Sequence, residues 1–317
     1  MGSANNAKTS APISGDAAKG HIFSLLTFVL WGGFPIFWEP VTSAGMSAGM
    51  ILAFRIVWSA AFAVLFLLAS GQIKAFIAFA RNKKMIALFA LSSALMAANW
   101  LVYLYALAQG EVLQASLGYF INPLVSVVLG FVVLKERLLP LQALAALIAL
   151  AAVTYLALSG DGFPWLSLGL AFSFGFYGLA RKMAPAGSLH GLALETLWMF
   201  PFALGYIVFS APAAATELSR LSALGHAVLI ASGLATTVPL LLFAAAAKKI
   251  PLSTLGIYQY ISPTMQFFIG LLYFHEAFSA QRLAGYSMVW AAVLLYAFAA
   301  AADSARRRKA GKARARS

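Results

Sequence analysis

The sequence predicts an all-α membrane protein: ten transmembrane helices in two inverted five-helix repeats. Three observations lead there. The 317-residue chain is 62% hydrophobic and only 10% charged, whereas soluble chains carry about a quarter charged residues. Charge-free runs near 20 residues, the length a helix needs to cross a bilayer, recur with charged or Gly/Pro punctuation between them. The chain also resembles itself at a fixed offset of 140 residues.

Taken in order, the runs place helices at 22–39, 47–69, 86–107, 112–134, 138–158, 164–182, 190–210, 226–247, 252–274 and 281–302. The second tolerates Arg55 and the seventh Glu195, the only ionisable residues deep in a span. Residues 1–18, rich in Ala, Ser, Gly and Asn, read as a disordered cytoplasmic tail, 19–160 as the first repeat, 161–302 as the second, and 303–317 as a basic cytoplasmic tail. The first apolar run leads straight into Trp31–Glu39 with no small-residue cleavage site, so no cleavable signal peptide is expected.

Charge sets the orientation. Threading ten helices from a cytoplasmic N-terminus puts 19 of the 22 Lys and Arg on the cytoplasmic side, leaving Arg220 and Arg282 outside and Arg55 in the membrane. That satisfies the positive-inside rule with both termini cytoplasmic. The net charge of +13 is therefore a lipid-headgroup signal, and no nucleic-acid partner is implied. Cysteine is absent, which excludes disulfides, thiolate metal sites and cysteine nucleophiles.

The duplication organises the polar residues. At an offset of 140, Tyr119-Phe120-Ile121-Asn122-Pro123 falls on Gln259-Tyr260-Ile261-Ser262-Pro263, Glu136 on Glu276 and Arg55 on Glu195. An odd number of helices per copy forces the second copy to enter from the opposite side. Inverted repeats of this kind place a solute site near the midplane, between the halves.

Candidate site residues follow from that symmetry. Tyr119, Asn122 and Ser126 share a helical face, with Gln259, Ser262 and Gln266 as their counterparts. Asn99 and Tyr103 come from the third span, Trp31 from the first and Tyr177 from the sixth. Pro35, Pro123 and Pro263 would kink their helices. Two readings stand for each polar residue, cavity lining or interhelical hydrogen bonding. Trp38, Trp58 and Trp198 read as interface anchors or packing. Arg55 and Glu195, equivalent and opposite in sign, are expected to meet near the midplane, either as a structural salt bridge or as a gating or solute-contacting pair. Glu136 and Glu276, at span ends, are solvated structural residues or carriers for proton coupling.

The strings LQASLGYFINPLVSVVLGFVVLKERL, NWLVYLYAL, LSLGLAFSFGFYGLARK, ETLWMFP, TTVPLLLFAAAAKKIPLSTLGIYQYISPT and HEAF resemble the RarD family. This is the EamA-type branch of the drug/metabolite transporter superfamily, described as chloramphenicol-sensitivity permeases. The resemblance covers roughly residues 19–302. It implies ten helices, cytoplasmic termini, the bacterial inner membrane and a small organic solute. The family pattern has arginine at Arg55, glutamate at Glu195 and Asn-Trp at Asn99-Trp100; the polar N-terminal extension and the basic tail depart from it.

The expected function is a secondary transporter moving a small organic metabolite or drug by alternating access, with the lipid bilayer as its other partner and no metal or organic cofactor. Proton coupling, oligomeric state and the solute are left open. Two alternatives are a non-transporting membrane scaffold or sensor and, with no HExxH motif or paired deep carboxylates to support it, an intramembrane enzyme.

Overall fold

The computed structural model describes residues 15–108, 112–158, 165–275 and 280–314, and all regular structure among them is helical. The helices are α1 (Gly15–Gly32), α2 (Phe34–Thr42), α3 (Ala48–Ala69), α4 (Ile73–Ala80), α5 (Lys83–Ala108), α6 (Val112–Val132), α7 (Pro140–Leu158), α8 (Trp165–Met183), α9 (Ser188–Phe209), α10 (Ala211–Ser219), α11 (Ala223–Lys249), α12 (Leu252–Tyr258), α13 (Ile261–Leu272) and α14 (Ala280–Arg314). Every segment expected to be helical is occupied by one helix or by an interrupted pair, α1–α2 and α12–α13. The short helices α4 and α10 are additional, and α14 does not stop at 302 but continues to Arg314. Glu276 and the junction at 160–161 lie outside the described residues.

Seven stretches among the described residues are long and apolar enough to cross a membrane: Gly15–Thr42, Ala48–Ala69, Lys83–Tyr103, Pro140–Leu158, Ser188–Phe209, Ala223–Lys249 and Leu283–Asp303. Of the remaining expected spans, Gly118–Val132 of α6 is apolar, α8 carries Arg181 and Lys182 in its last turn, and α12–α13 is interrupted. The outward surface is hydrocarbon: Phe202 is 76% exposed, Phe209 91% and Leu294 70%. An apolar surface of this extent suits lipid rather than water.

The interruptions have local causes. Pro35 sits in the first turn of α2, just after Gly33. Pro263 sits in the first turn of α13 and has no N–H to give the carbonyl of Gln259. The backbone tightens there instead, with Gln259 N bonding Gly256 O at 3.1 Å and Tyr260 N bonding Ile257 O at 3.2 Å. Of the three prolines expected to bend helices, Pro123 alone lies inside an unbroken one, α6.

Helix ends repeat at the same offset. Asn82 accepts from Lys84 N at 3.0 Å to cap α5, and Ser222 accepts from Gly225 N at 3.1 Å to cap α11. Lys135 and His275 both take left-handed backbone, φ 53° and 52°, just past α6 and α13.

Packing pairs α1 with α11 and α5 with α8, α6 with α8 and α1 with α13, and sets α3 on α9, α6 on α12 and α7 on α14. One close crossing is α12 on α6. A Cβ on Gly256 would lie 2.8 Å from Pro123 O and 2.9 Å from Ser126 Cβ, so only glycine admits that approach. On α7 the seam is small-residue, with Ala145, Ala149 and Ala152 all buried.

Candidate functional site

Where α1, α2, α3, α5, α6, α8, α11 and α13 converge, they leave a cavity of about 460 Å³, within the range of small-molecule sites. Nine of the twelve residues singled out from sequence line it: Trp31, Arg55, Asn99, Tyr103, Tyr119, Asn122, Gln259, Ser262 and Gln266. Tyr119 is 37% exposed, although its neighbours Phe120, Ile121 and Asn122 are buried. Trp38, expected at an interface, lines the cavity with Phe34 and Thr42.

The two readings of the polar residues prove compatible. Asn99 Nδ2 donates to Leu170 O at 2.9 Å and Ser173 Oγ at 3.0 Å, tying α5 to α8. Ser262 Oγ donates to Phe28 O at 2.6 Å and Gln266 Nε2 to Trp31 O at 3.2 Å, tying α13 to α1. These side chains both bind helices together and face the cavity. Asn122 Oδ1 and Gln259 Oε1 are buried acceptors without a hydrogen-bond partner among the described residues.

Arg55 is the charged residue of the lining. Its Nε donates to Thr236 Oγ1 at 2.5 Å. Its guanidinium carbon lies 4.9 Å from the Trp100 ring centroid and 5.6 Å from that of Phe34, geometry that stabilises a cation without neutralising it. Among the described residues no carboxylate pairs with it.

Ser126, Tyr177 and Glu195 are not among the lining residues, and the expected pairing of Arg55 with Glu195 is not formed. Ser126 is buried against α12, where it accepts from Gln259 Nε2 at 3.0 Å. Glu195 is 2% exposed. Its carboxylate lies 3.6 Å from Arg181 Nη1, accepts from Tyr177 OH at 3.4 Å and accepts from Ser92 Oγ. Arg181 also donates to Ser188 O at 3.1 Å and lies 5.4 Å from the centroid of Phe89. The physical reason is local. Arg181 lies in the last turn of α8 and Glu195 two turns into α9, so the short α8–α9 turn brings them together far more readily than two separate spans could.

Arg181 is the residue that sequence reasoning missed. The charge distribution places it among the 19 cytoplasmic cations, yet it is only 2% exposed. One signal was present: Gly191, one turn before Glu195. A Cβ there would run into Arg181 Nη1 and lie 2.6 Å from Phe89 Cε1; the glycine is the space the guanidinium occupies.

Beyond the cavity floor the molecule closes. Phe243 is fully buried and meets Trp31, Phe174 and Tyr177 with ring centroids 6.1, 5.4 and 5.9 Å away. At the basic end, Glu136 accepts from Leu252 N at 2.7 Å, Ser253 N at 2.9 Å and Ser253 Oγ at 2.7 Å. It thereby caps α12, whose own N-cap, Pro251, offers no side-chain acceptor. Lys182 Nζ lies 3.8 Å from Glu136 and donates to Ala247 O at 3.0 Å and Ile250 O at 2.6 Å. The lining includes Trp38, Thr42 and Ala48 from the opposite end and none of this clasp.

Comparison with known proteins follows the same lines. Residues 18–158 match the EamA-like transporter family. The chain is 43% identical to the uncharacterized transporter YojE of Bacillus subtilis, over 89% of this chain and 95% of that one. It is 42% identical to protein RarD of Streptomyces exfoliatus, with 87% of each covered. It is 34% identical to protein RarD of Escherichia coli, with 88% and 93% covered. A crystal structure 16% identical in sequence superposes with a TM-score of 0.64 over 88% of this chain and 98% of the other, which shows a shared fold.

Proposed function

The chain belongs to the RarD branch of the EamA-like transporters, multi-pass bacterial membrane proteins, and from that premise we propose that it is a secondary transporter carrying a small organic metabolite or drug by alternating access. The observation that carries this reading is the cavity itself. Both halves of the chain wall it, Arg55, Tyr119 and Asn122 from one and Gln259, Ser262 and Gln266 from the other. It reaches toward the α2–α3 end and is closed at the basic end by rings and by the Glu136 clasp. A site walled by two repeats and sealed on one side is what a rocking mechanism requires.

The further architecture belongs to this proposal. Ten crossings form two inverted repeats, supported by the shared caps at Asn82 and Ser222 and the shared left-handed turns at Lys135 and His275. Both termini are cytoplasmic, supported by the Lys and Arg distribution, so the clasp faces the cytoplasm and the cavity the exterior. Of the predicted site residues, those lining the cavity contact the solute, while Ser126, Tyr177 and Glu195 hold its walls.

Counterflow in proteoliposomes tests the reading. Vesicles loaded with a candidate solute should accumulate its labelled form only when they contain the protein, and the solute should emerge chemically unchanged. A panel that binds without ever exchanging across the membrane would contradict transport.

A further inference from the structure

Resting on the transport reading, we infer that the cavity takes a monoanionic organic acid with an aromatic or apolar body and a hydrogen-bond donor away from its acid group, the acid seated on Arg55. The argument starts from charge. A guanidinium is a fixed cation with five N–H donors in one plane. Arg55 uses Nε on Thr236, while Trp100 and Phe34 lie near its guanidinium carbon. Rings stacked near a guanidinium do not take its in-plane Nη donors, the pair that matches a carboxylate fork.

An isolated cation in a membrane interior is costly, and such residues are paired or face a polar cavity. The repeat sets Arg55 opposite Glu195, but Glu195 is committed to Arg181. Among the described residues the lining holds neither Asp nor Glu, so an organic cation would find no counter-ion there and an anion finds one. A single arginine suits one negative charge; a dianion would keep one charge unpaired.

The rest of the wall describes the rest of the molecule. Trp31, Phe34, Trp38 and Phe174 supply apolar and aromatic surface. Asn122 Oδ1 and Gln259 Oε1 are acceptors that nothing among the described residues satisfies. Buried polar atoms are rarely left so, and a ligand hydroxyl or N–H would complete them.

The test uses four probes and purified wild-type protein in lipid nanodiscs, with binding read by calorimetry. Para-hydroxyphenylacetate carries acid and donor, para-hydroxyphenylacetamide is its uncharged counterpart, tyramine its cationic one, and phenylacetate lacks the donor. The acid should bind about tenfold or more tightly than the amide, with tyramine weakest and phenylacetate between acid and amide. In Arg55→Gln the acid should fall to the amide's affinity while the amide is unchanged. The assignment is overturned if amide or tyramine matches the acid, if the acid's advantage survives Arg55→Gln, or if none of the probes binds. The wild-type series decides even where the variant does not fold. Counterflow of an uncharged or cationic solute, indifferent to Arg55, would defeat the anion assignment and leave transport standing. Acid binding without flux would do the reverse.

Discussion

Two arginines inside this protein are treated in opposite ways. Arg181 is sealed, with Glu195, Ser188 O and Phe89 around it. Arg55 has a hydroxyl and two rings, lies on a cavity, and has no carboxylate partner among the described residues. A buried charge that has its counter-ion inside the protein serves the fold; a buried charge that lacks one and faces a cavity is available to something else. The difference separates a structural lock at the basic end from a site at the centre.

The comparison breaks most readily at the lock. Glu195→Ala strands Arg181 in low dielectric and should cost about 3–5 kcal/mol, read as a large fall in the unfolding temperature of detergent-purified protein. Arg181→Ala should cost as much. The double substitution Arg181→Met with Glu195→Gln should lose far less than the sum of the two and still transport. Additive losses would mean that the pair is not a unit.

A smaller effect probes the space around the same guanidinium. Gly191→Ala places a methyl group where Arg181 Nη1 sits; overpacking of that kind should cost about 1–3 kcal/mol. Arg181→Met should relieve much of it, because the crowded atoms are then gone. An unaffected Gly191→Ala protein would place the guanidinium elsewhere.

The smallest stability effect should come from Arg55. Arg55→Gln leaves the Thr236 hydroxyl to find a new partner and should cost about 1 kcal/mol, yet abolish counterflow. Thermal unfolding and flux measured on one preparation sharpen the contrast: lock variants lose stability first, and the Arg55 variant loses function first. A collapse of stability in Arg55→Gln would erase the distinction.

Much of this was legible in the sequence, for identifiable reasons. Helix positions follow from apolar run length, which the bilayer dictates directly. Much of the polar lining, Tyr119, Asn122, Gln259, Ser262 and Gln266, follows from polar residues recurring 140 positions apart, because symmetry turns two weak signals into one. Side-chain reach was not legible. Arg181 lies at a span end, where cations are ordinarily solvated, and only its length and the gap at Gly191 let it fold back to Glu195. Sequence symmetry paired Arg55 with Glu195, but symmetry fixes equivalent positions, not partners, and the nearer arginine takes the carboxylate. The short helices α4 and α10 escaped because eight or nine residues cannot be told from loop by apolar length.

The central claim is that one cavity, with Arg55 on its wall, is reached from each side of the membrane in turn. The chain has no cysteine, so a single Tyr119→Cys substitution reports on that cavity alone. The measurement is labelling of this cysteine by a membrane-impermeant thiol reagent in vesicles of each orientation. Labelling from the exterior and, more slowly, from the cytoplasmic face, in vesicles that stay sealed to small ions, is the predicted result. Labelling from neither face, or from one face alone under all conditions including Glu136→Ala, would contradict it.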